Sequence, residues 1–416
     1  MDFTEILGVL STLLGLMVSL CYSYQILYLL LPLFHKQPSL PEGKLHRYAI
    51  LIAARNEEQV LPHLLESLFQ QDYPAQLYRV FVVADNCTDR TAVVAAQMGA
   101  VVFSRHSSTH IGKGYALQYL LQKIDEQENL DSFDAFLVFD ADNLLCKDYI
   151  RQIDRVCSQG YDVFCGFRNS KNFGTNWVSM GHAIWYLHDC VHLNASRMAL
   201  GYPAIVTGTG FGFTRSLLQR CGGWNFFTLT EDIEFSTWCV THNVSSGYCR
   251  DAVVYDEQPI TFRQSWRQRT RWIQGGIQVS LRYGKALFTG IVQGGKNRRN
   301  CLESVTLLLW GYGIGVISAL LAMVSAFLQG GWPALGQALV FAVVGSFLFS
   351  VLIAALAVGS SWSQIRATTA QKLLGILLFP LHTLTYAPIA VSALFRKYHW
   401  PQIDHTLALS VQDLHP

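Results

Sequence analysis

"YAILIAARNEE", residues 48–58, is a short apolar run that ends in charged and amide side chains. This is the pattern of a strand buried on both faces of a parallel sheet, with a loop delivered at its carboxyl end. The pattern then repeats. "VLPHLLESLFQQ" (60–71) has helical spacing, "YRVFVVADNCTDRT" (78–91) is a second strand and loop, and "TAVVAAQMGA" (91–100) is a second helix closed by Gly99. "AVVFSR" (100–105) and "AFLVFDADN" (135–143) supply a third and a fourth strand. Strands alternating with helices predict a doubly wound, mostly parallel α/β sheet, whose ligands lie beyond the carboxyl ends of the strands. Arg55, Asn56 and Glu57, then Asp85 and Asn86, then Asp140 and Asp142 all fall at such ends.

Outward from this sheet the chain changes character. Of its 416 residues 51% are hydrophobic and only 14% charged, and mean hydropathy is positive, which is too apolar for an ordinary soluble protein of this size. Residues 5–34 hold a single charge, at Glu5, and exceed the roughly 20 residues that cross a bilayer. No Lys or Arg precedes them and the apolar run is longer than a secretory signal core, so they read as a retained anchor. Three more apolar stretches follow at about 304–328, 335–358 and 372–395. The expected organisation is an anchor (1–36), a soluble domain (45–300), a membrane region (301–396) and a short tail (397–416). Lys36, Lys44 and Arg47 after the first span, with Lys296, Arg298 and Arg299 before the second, place the domain in the cytoplasm. Four crossings would leave the C-terminus outside, whereas Arg396 and Lys397 argue for inside. Pro380 and Pro388 mark the last stretch as the one that is not a simple crossing. The ten cysteines contain no CxxC spacing and are expected as free thiols. A net charge of +2 carries no sign of nucleic-acid binding.

No GxGxxG follows the first strand and no GxxxxGK[ST] occurs, which excludes a dinucleotide fingerprint and a P-loop. Two carboxylates one residue apart in "FDADN" can instead face one hard divalent cation that keeps positions open for phosphate oxygens. "TEDIEFS" (230–236) concentrates three more acids in about one helical turn. "FRQSWRQRTRWIQGGIQVSL" spaces Phe262, Trp266, Ile273, Ile277 and Leu281 helically among four arginines, as expected of an amphipathic helix in the headgroup layer over about 262–285. A weaker helix of the same kind spans about 176–193. Its His182, His188 and His192 have only Asp189 as an acidic neighbour and read as interfacial rather than metal-binding.

Six motifs stand in order: "AARNEE", "VVADNCTDRTA", "GKGYAL", "DAD", "TED" and "QRTRW". With the spans that follow, the chain over about 48–275 resembles the membrane-integrated inverting family 2 glycosyltransferases, the group of cellulose, hyaluronan and poly-N-acetylglucosamine synthases with the QxxRW signature. The resemblance implies a GT-A domain embedded between transmembrane helices of the plasma membrane, using a UDP-sugar donor and Mg²⁺ or Mn²⁺. By the same resemblance Asp232 is the catalytic base, and Asp140 and Asp142 hold the metal. Ala53, Arg55, Glu57, Asp85, Lys113, Asp140 and Arg271 bind the donor nucleotide. Gly208, Thr209, Gly210, Glu231, Gln268 and Trp272 form the acceptor end. The "GTG" loop differs from the cysteine-containing loop of cellulose synthases. The leading expectation is processive polymerisation of a UDP-activated hexose or N-acetylhexosamine into a β-linked polysaccharide, with inversion and translocation of the growing chain; the alternative is a single addition to a lipid acceptor, as in ceramide glucosyltransferase. Membrane lipids are the other expected partner.

Overall fold

The computed structural model describes residues 3–35, 40–295, 297–395, 407 and 409, with the backbone alone over 309–314. An eight-stranded sheet is ordered β3-β2-β1-β4-β7-β6-β8-β5. Its strands are β1 (Tyr48–Ala54), β2 (Tyr78–Asp85), β3 (Val101–Arg105), β4 (Ala135–Asp140), β5 (Leu144–Leu145), β6 (Val163–Ser170), β7 (Phe211–Thr214) and β8 (Ser246–Asp256). The first four are parallel, with α2 (Leu61–Phe69), α3 (Thr91–Gln97) and α4 (Lys113–Glu128) between them. β7 runs against both β4 and β6. The apolar run of β1 is divided by the two-residue period of a strand. Ala49 and Leu51 enter one core with Phe81, Val83 and Val138, whereas Tyr48, Ile50 and Ile52 enter another with Val82, Leu137 and Phe139.

The first of these cores does not stop at the sheet. It continues through α6 (Trp177–His188) into Ala354, Ala357, Val358 and Phe379 of the apolar C-terminal helices, so one hydrophobic unit joins the sheet to the membrane region. α5 (Tyr149–Cys157) covers the other face. There, Asp154 accepts from the Leu45 and His46 backbone N–H groups at 3.0 and 2.9 Å and from the hydroxyls of Tyr48 and Tyr73 at 2.9 and 3.0 Å. These bonds fasten the segment that leads out of the anchor.

Among the described residues, three helical stretches are long and apolar enough to cross a bilayer, at Thr4–Phe34, Gly315–Ser360 and Thr369–Phe395. The first is α1 (Phe3–Phe34). The second belongs to α12 (Leu309–Ser360), which breaks at Gly331, where φ is 63° and ψ −154°. Its first limb runs back along α1: Ser325 and Gln329 lie against Gly8 and Ser318 against Gly15; just before the limb, the Thr306 carbonyl accepts from the Tyr22 hydroxyl at 2.7 Å. Its second limb returns to the domain, where Arg250 donates to the Ser360 carbonyl at 2.6 Å. The two apolar stretches read at 304–328 and 335–358 are thus the limbs of a helical hairpin. The first limb begins later than the sequence suggests, because Leu308 is extended (ψ 174°) and 304–307 belong to the separate helix α11 (Arg298–Leu307).

The fourth apolar stretch takes a different course. α13 (Thr369–Leu384) and α14 (Tyr386–Phe395) stay on the domain along their whole length. Gln371 donates to the Gly174 carbonyl at 2.9 Å, and Arg269 to the His382 carbonyl at 3.0 Å and to Thr385 Oγ1 at 2.8 Å. Gln274 reaches the Ala393 carbonyl at 2.9 Å. Leu373, Leu377, Leu381, Val391 and Leu394 are left exposed on the other side. Although this segment is long and apolar enough to cross a bilayer, it packs on the domain throughout; lying in the membrane plane instead of crossing, it would remove the parity conflict in the sequence. It also corrects the expectation for 176–193. α6 is buried nearly all round because α13 covers the face that would otherwise meet lipid. The long amphipathic helix is α10 (Phe262–Gln293). The tail 397–416, apart from Leu407 and Leu409, and Lys36, Lys296 and Arg396 lie outside the described residues.

An epitope inserted at Gly331 is expected on the membrane face opposite the catalytic domain, and one at Ser363 on the same face as that domain. Antibody access in sealed vesicles of known orientation checks both, and labelling of both from one side would rule the hairpin out.

Candidate functional site

The carboxyl ends of β1, β2 and β4 open on one cavity of about 810 Å³. At the first end, Asn56 adopts φ 57° and turns the chain, so that Arg55 and Glu57 line the cavity beside Ala53. The loops after β1 and β2 brace each other. Asn56 Oδ1 accepts from Thr88 N–H at 2.7 Å, and Glu57 N–H donates to Thr91 Oγ1 at 2.8 Å. Asp85 at the second end is ion-paired to Arg105 of β3 at 2.5 Å with both side chains buried. Arg105 carries no motif, and only its place at a strand end could have marked it.

Asp140 and Asp142 leave β4 into the same cavity. Lys113, at the first turn of α4, donates from Nζ to Asp140 Oδ1 at 2.5 Å and to the Gly208 carbonyl at 3.1 Å, with Glu231 Oε1 3.9 Å away. Asp142 Oδ2 accepts from Glu257 N–H at 2.9 Å, and its backbone carbonyl accepts from buried Lys171. Burial pushes the Lys171 ammonium below the ordinary lysine range. Two hard oxygen donors on adjacent turns of one strand end fit a divalent cation. Among the described residues no third His, Cys, Asp or Glu completes a cluster with them, so phosphate oxygens and water would have to fill the remaining positions.

Opposite stands the first turn of α9 (Glu231–Thr241). Its three acids part company. Asp232, half-buried in the cavity wall, accepts from Gly208 N–H at 2.5 Å. Glu231 is buried against Lys113. Burial pushes its carboxyl up to about 7, with the Lys113 charge opposing and the Asp232 charge adding to the rise. Glu234 is fully buried away from the cavity. One oxygen accepts from the N–H groups of Phe227 and Thr228, both at 2.8 Å, and the other meets Arg282 of α10 at 2.7 Å. It staples the loop before α9 to α10, a role that no spacing in the sequence announces.

Gln268, Arg271 and Trp272 reach the cavity from one face of α10, and Trp272 is flanked edge-on by His182 and Tyr186 at ring distances of 5.5 and 6.0 Å. Gly208 lines the cavity, but Thr209 and Gly210 stand behind it, contrary to their expected place at the acceptor. The Thr209 hydroxyl is used internally: it donates to Asn143 Oδ1 at 2.5 Å and accepts from Asp140 N–H at 2.9 Å. At Gly210, where φ is 62°, a Cβ would fall 2.6 Å from Val254 Cγ1. Three further groups in the wall belong to no motif, namely Arg168 near the end of β6, Asp256 at the end of β8, and Tyr186. Burial raises the Asp256 carboxyl to about 6 against the pull of Arg168.

Residues 46–275 match the model of the family described as glycosyltransferase like family 2. The chain belongs to that family. A β-monoglucosyldiacylglycerol synthase of Nostoc sp. is 30% identical over 254 residues, 58% of this chain and 51% of that protein. A poly-β-1,6-N-acetyl-D-glucosamine synthase of Staphylococcus epidermidis is 22% identical over 236 residues, 56% of this chain and 55% of that one. The chain thus spans about half the length of the curated relatives it matches. Among solved structures, a mannosyltransferase of Pyrobaculum calidifontis, in complex with GDP-Man and Mn²⁺, aligns over 94% of this chain and 99% of its own with a TM-score of 0.55 at 16% identity. That likeness identifies the fold as GT-A.

Glu231 should leave its mark on stability. Below its ordinary value of 4.5 it is neutral folded or unfolded; between 4.5 and about 7 the folded chain keeps a proton that the unfolded chain releases. Stability contributed by the neutral form is therefore present at low pH and lost as pH rises through 7, by up to about 3 kcal/mol. Glu231→Gln is expected to flatten that decline, so that its Tm in lipid or detergent gains on the wild type between pH 5 and pH 8.

Proposed function

We propose that this chain is an inverting glycosyltransferase that moves one sugar from a UDP-sugar to the hydroxyl of a membrane lipid. The observation that carries this reading is the shape of the cavity. From Asp232 it runs on past Ile233 and Ile273 to Leu307, Leu308, Val316 and Ala390, supplied by α10, α11, α12 and α14. Apolar walls that start at the candidate base and end among membrane helices suit an acyl chain, and would strip a hydrated polysaccharide of water without replacing its hydrogen bonds. The similarity to β-monoglucosyldiacylglycerol synthases, whose name states a lipid product, supports the same choice.

In the proposed reaction Asp232 takes the acceptor hydroxyl proton while that oxygen attacks the anomeric carbon from the side opposite the nucleotide. The new C–O bond forms as the bond to the diphosphate breaks, and the electron pair leaves on the diphosphate. Lys113 offsets the growing negative charge from one side and Arg271 from the other. A Mg²⁺ or Mn²⁺ held by Asp140 and Asp142 would supply further charge neutralisation there. Asp85, oriented by Arg105, and the Ala53–Glu57 wall take the uridine. Trp272 offers its face to the acceptor end. Lys44, Arg47, Arg298 and Arg299 on the domain side of the spans support a cytoplasmic location for this chemistry, by the positive-inside rule, at what we take to be the plasma membrane.

Purified protein in lipid, given labelled UDP-sugars and Mg²⁺ or Mn²⁺, is expected to yield one lipid-extractable product carrying a single sugar. A ladder or a high-mass polymer would move the assignment to a processive synthase, the reading favoured by the likeness to poly-N-acetylglucosamine synthases. Asp232→Asn should lower transfer by about 10²–10⁴-fold, and full retention of activity would remove it as the base.

A further inference from the structure

Arg168 lies two residues before the end of β6, is almost wholly buried and belongs to none of the six motifs. Its guanidinium is engaged on three sides. Nε donates to Asp256 Oδ2 at 2.6 Å, Nη1 donates to the Thr207 carbonyl at 3.3 Å, and the plane lies over the Tyr186 ring, 3.6 Å from its centroid. Asp256 is itself held by Gln258 Nε2 at 2.5 Å. The next residue after Thr207 is Gly208, with φ 83°, and a Cβ there would fall 2.5 Å from Arg168 Nη1. The turn and the guanidinium are thus packed directly together. The same Gly208 gives its N–H to Asp232 and its carbonyl to Lys113.

We infer that Arg168 is a positioning residue for the base: anchored by Asp256, it holds the Thr207–Gly208 turn so that the Gly208 N–H fixes the Asp232 carboxylate toward the acceptor hydroxyl. The inference rests on the proposed role of Asp232. A buried ion pair adds little net stability, because desolvation offsets its attraction. What the guanidinium does supply is direction. Its planar fork serves a carboxylate, a carbonyl and an aromatic face at once, a combination that neither an ammonium nor an apolar side chain reproduces. Through Tyr186, which flanks Trp272, that cation also fixes the aromatic wall at the acceptor end. One residue therefore aligns the base with the group it deprotonates, and in this role it makes no contact with donor or acceptor.

Three variants of the full chain in lipid, Arg168→Lys, Arg168→Ala and Asp256→Asn, test this with the donor that the wild type uses. Arg168→Lys is expected to lower kcat by about 10–100-fold, the usual cost of losing an orienting partner, with donor KM within about twofold and Tm near that of the wild type. Arg168→Ala should fall further and recover part of its kcat with millimolar guanidinium chloride, since the vacated site opens on the cavity. Asp256→Asn should show the same split between kcat and KM in milder form. Wild-type kcat in Arg168→Lys overturns the inference. So does a rise in donor KM at constant kcat, which would make Arg168 a diphosphate contact, or a loss of activity in all three variants that follows loss of the folded state and resists guanidinium. Should Arg168→Ala not fold, the kcat and KM of Arg168→Lys decide alone. Asp232→Asn run beside them separates the two levels: activity in that variant refutes the base, whereas an inactive Asp232→Asn with a fully active Arg168→Lys refutes only the positioning role.

Discussion

The parallel pairing of β1 with β4, with Ala53 opposite Asp140, is the constraint on which the rest of the molecule depends. The chain winds from β1 outward through β2 to β3 and then returns to lay β4 on the other side of β1, so the two loops part at that point and leave a crevice between them. Backbone hydrogen bonds hold this register, and a slip of one residue would turn both cores inside out. Because β1 and β4 are buried on both faces, the register cannot adapt to a ligand. The ligand has to fit loops whose starting points are already fixed. Asn56 and Asn86, both in the left-handed region, bend the chain immediately after β1 and β2. After Asn56 this turn delivers Glu57 to the crevice, whereas the Asn86 N–H stays tied to the sheet through the Arg105 carbonyl of β3 at 2.8 Å.

The parallel sheet and the strand-end residues were legible because both follow from local rules: apolar runs mark buried strands, and polar residues at their ends have nowhere else to point. What stayed hidden depends on packing between distant segments. Glu234 has the same sequence context as Asp232, yet the helical turn sends it to the opposite side, where Arg282, 48 positions on, meets it. Thr209 looked like a cavity residue until Asn143 claimed its hydroxyl. Arg168 and Asp256 are 88 positions apart and become partners only because β6 and β8 lie side by side in parallel. The packing of the apolar stretch at the end could not be read from its composition. Its inner face carries Lys372, Gly375 and His382, and these become meaningful only once α6 and α10 are known to face them.

The junction between anchor and domain follows a different physical logic from the sheet. Glu303, buried on α11, accepts from the Tyr28 hydroxyl of α1 at 2.7 Å and from Arg299 at 3.0 Å, and is ion-paired with the buried Arg197. Ser196 adds a bond to the Tyr28 carbonyl at 2.8 Å. A carboxylate buried with two guanidinium groups tolerates little displacement, because any gap leaves an uncompensated charge out of water. Helix α1 is therefore an integral wall of the protein, tied by polar contacts near its C-terminal end.

The apolar end of the cavity bears on what would govern turnover under the proposed reading. A lipid acceptor that entered past Val316 and Ala390 would reach Asp232 without passing through water. For an enzyme of that kind the relevant acceptor concentration is a mole fraction in a two-dimensional film. Diluting the acceptor with inert lipid at constant total amount would starve the site, whereas concentrating the vesicles would not feed it. Under that reading the rate would follow the composition of the surrounding membrane, and the chain would act as a local gauge of that composition.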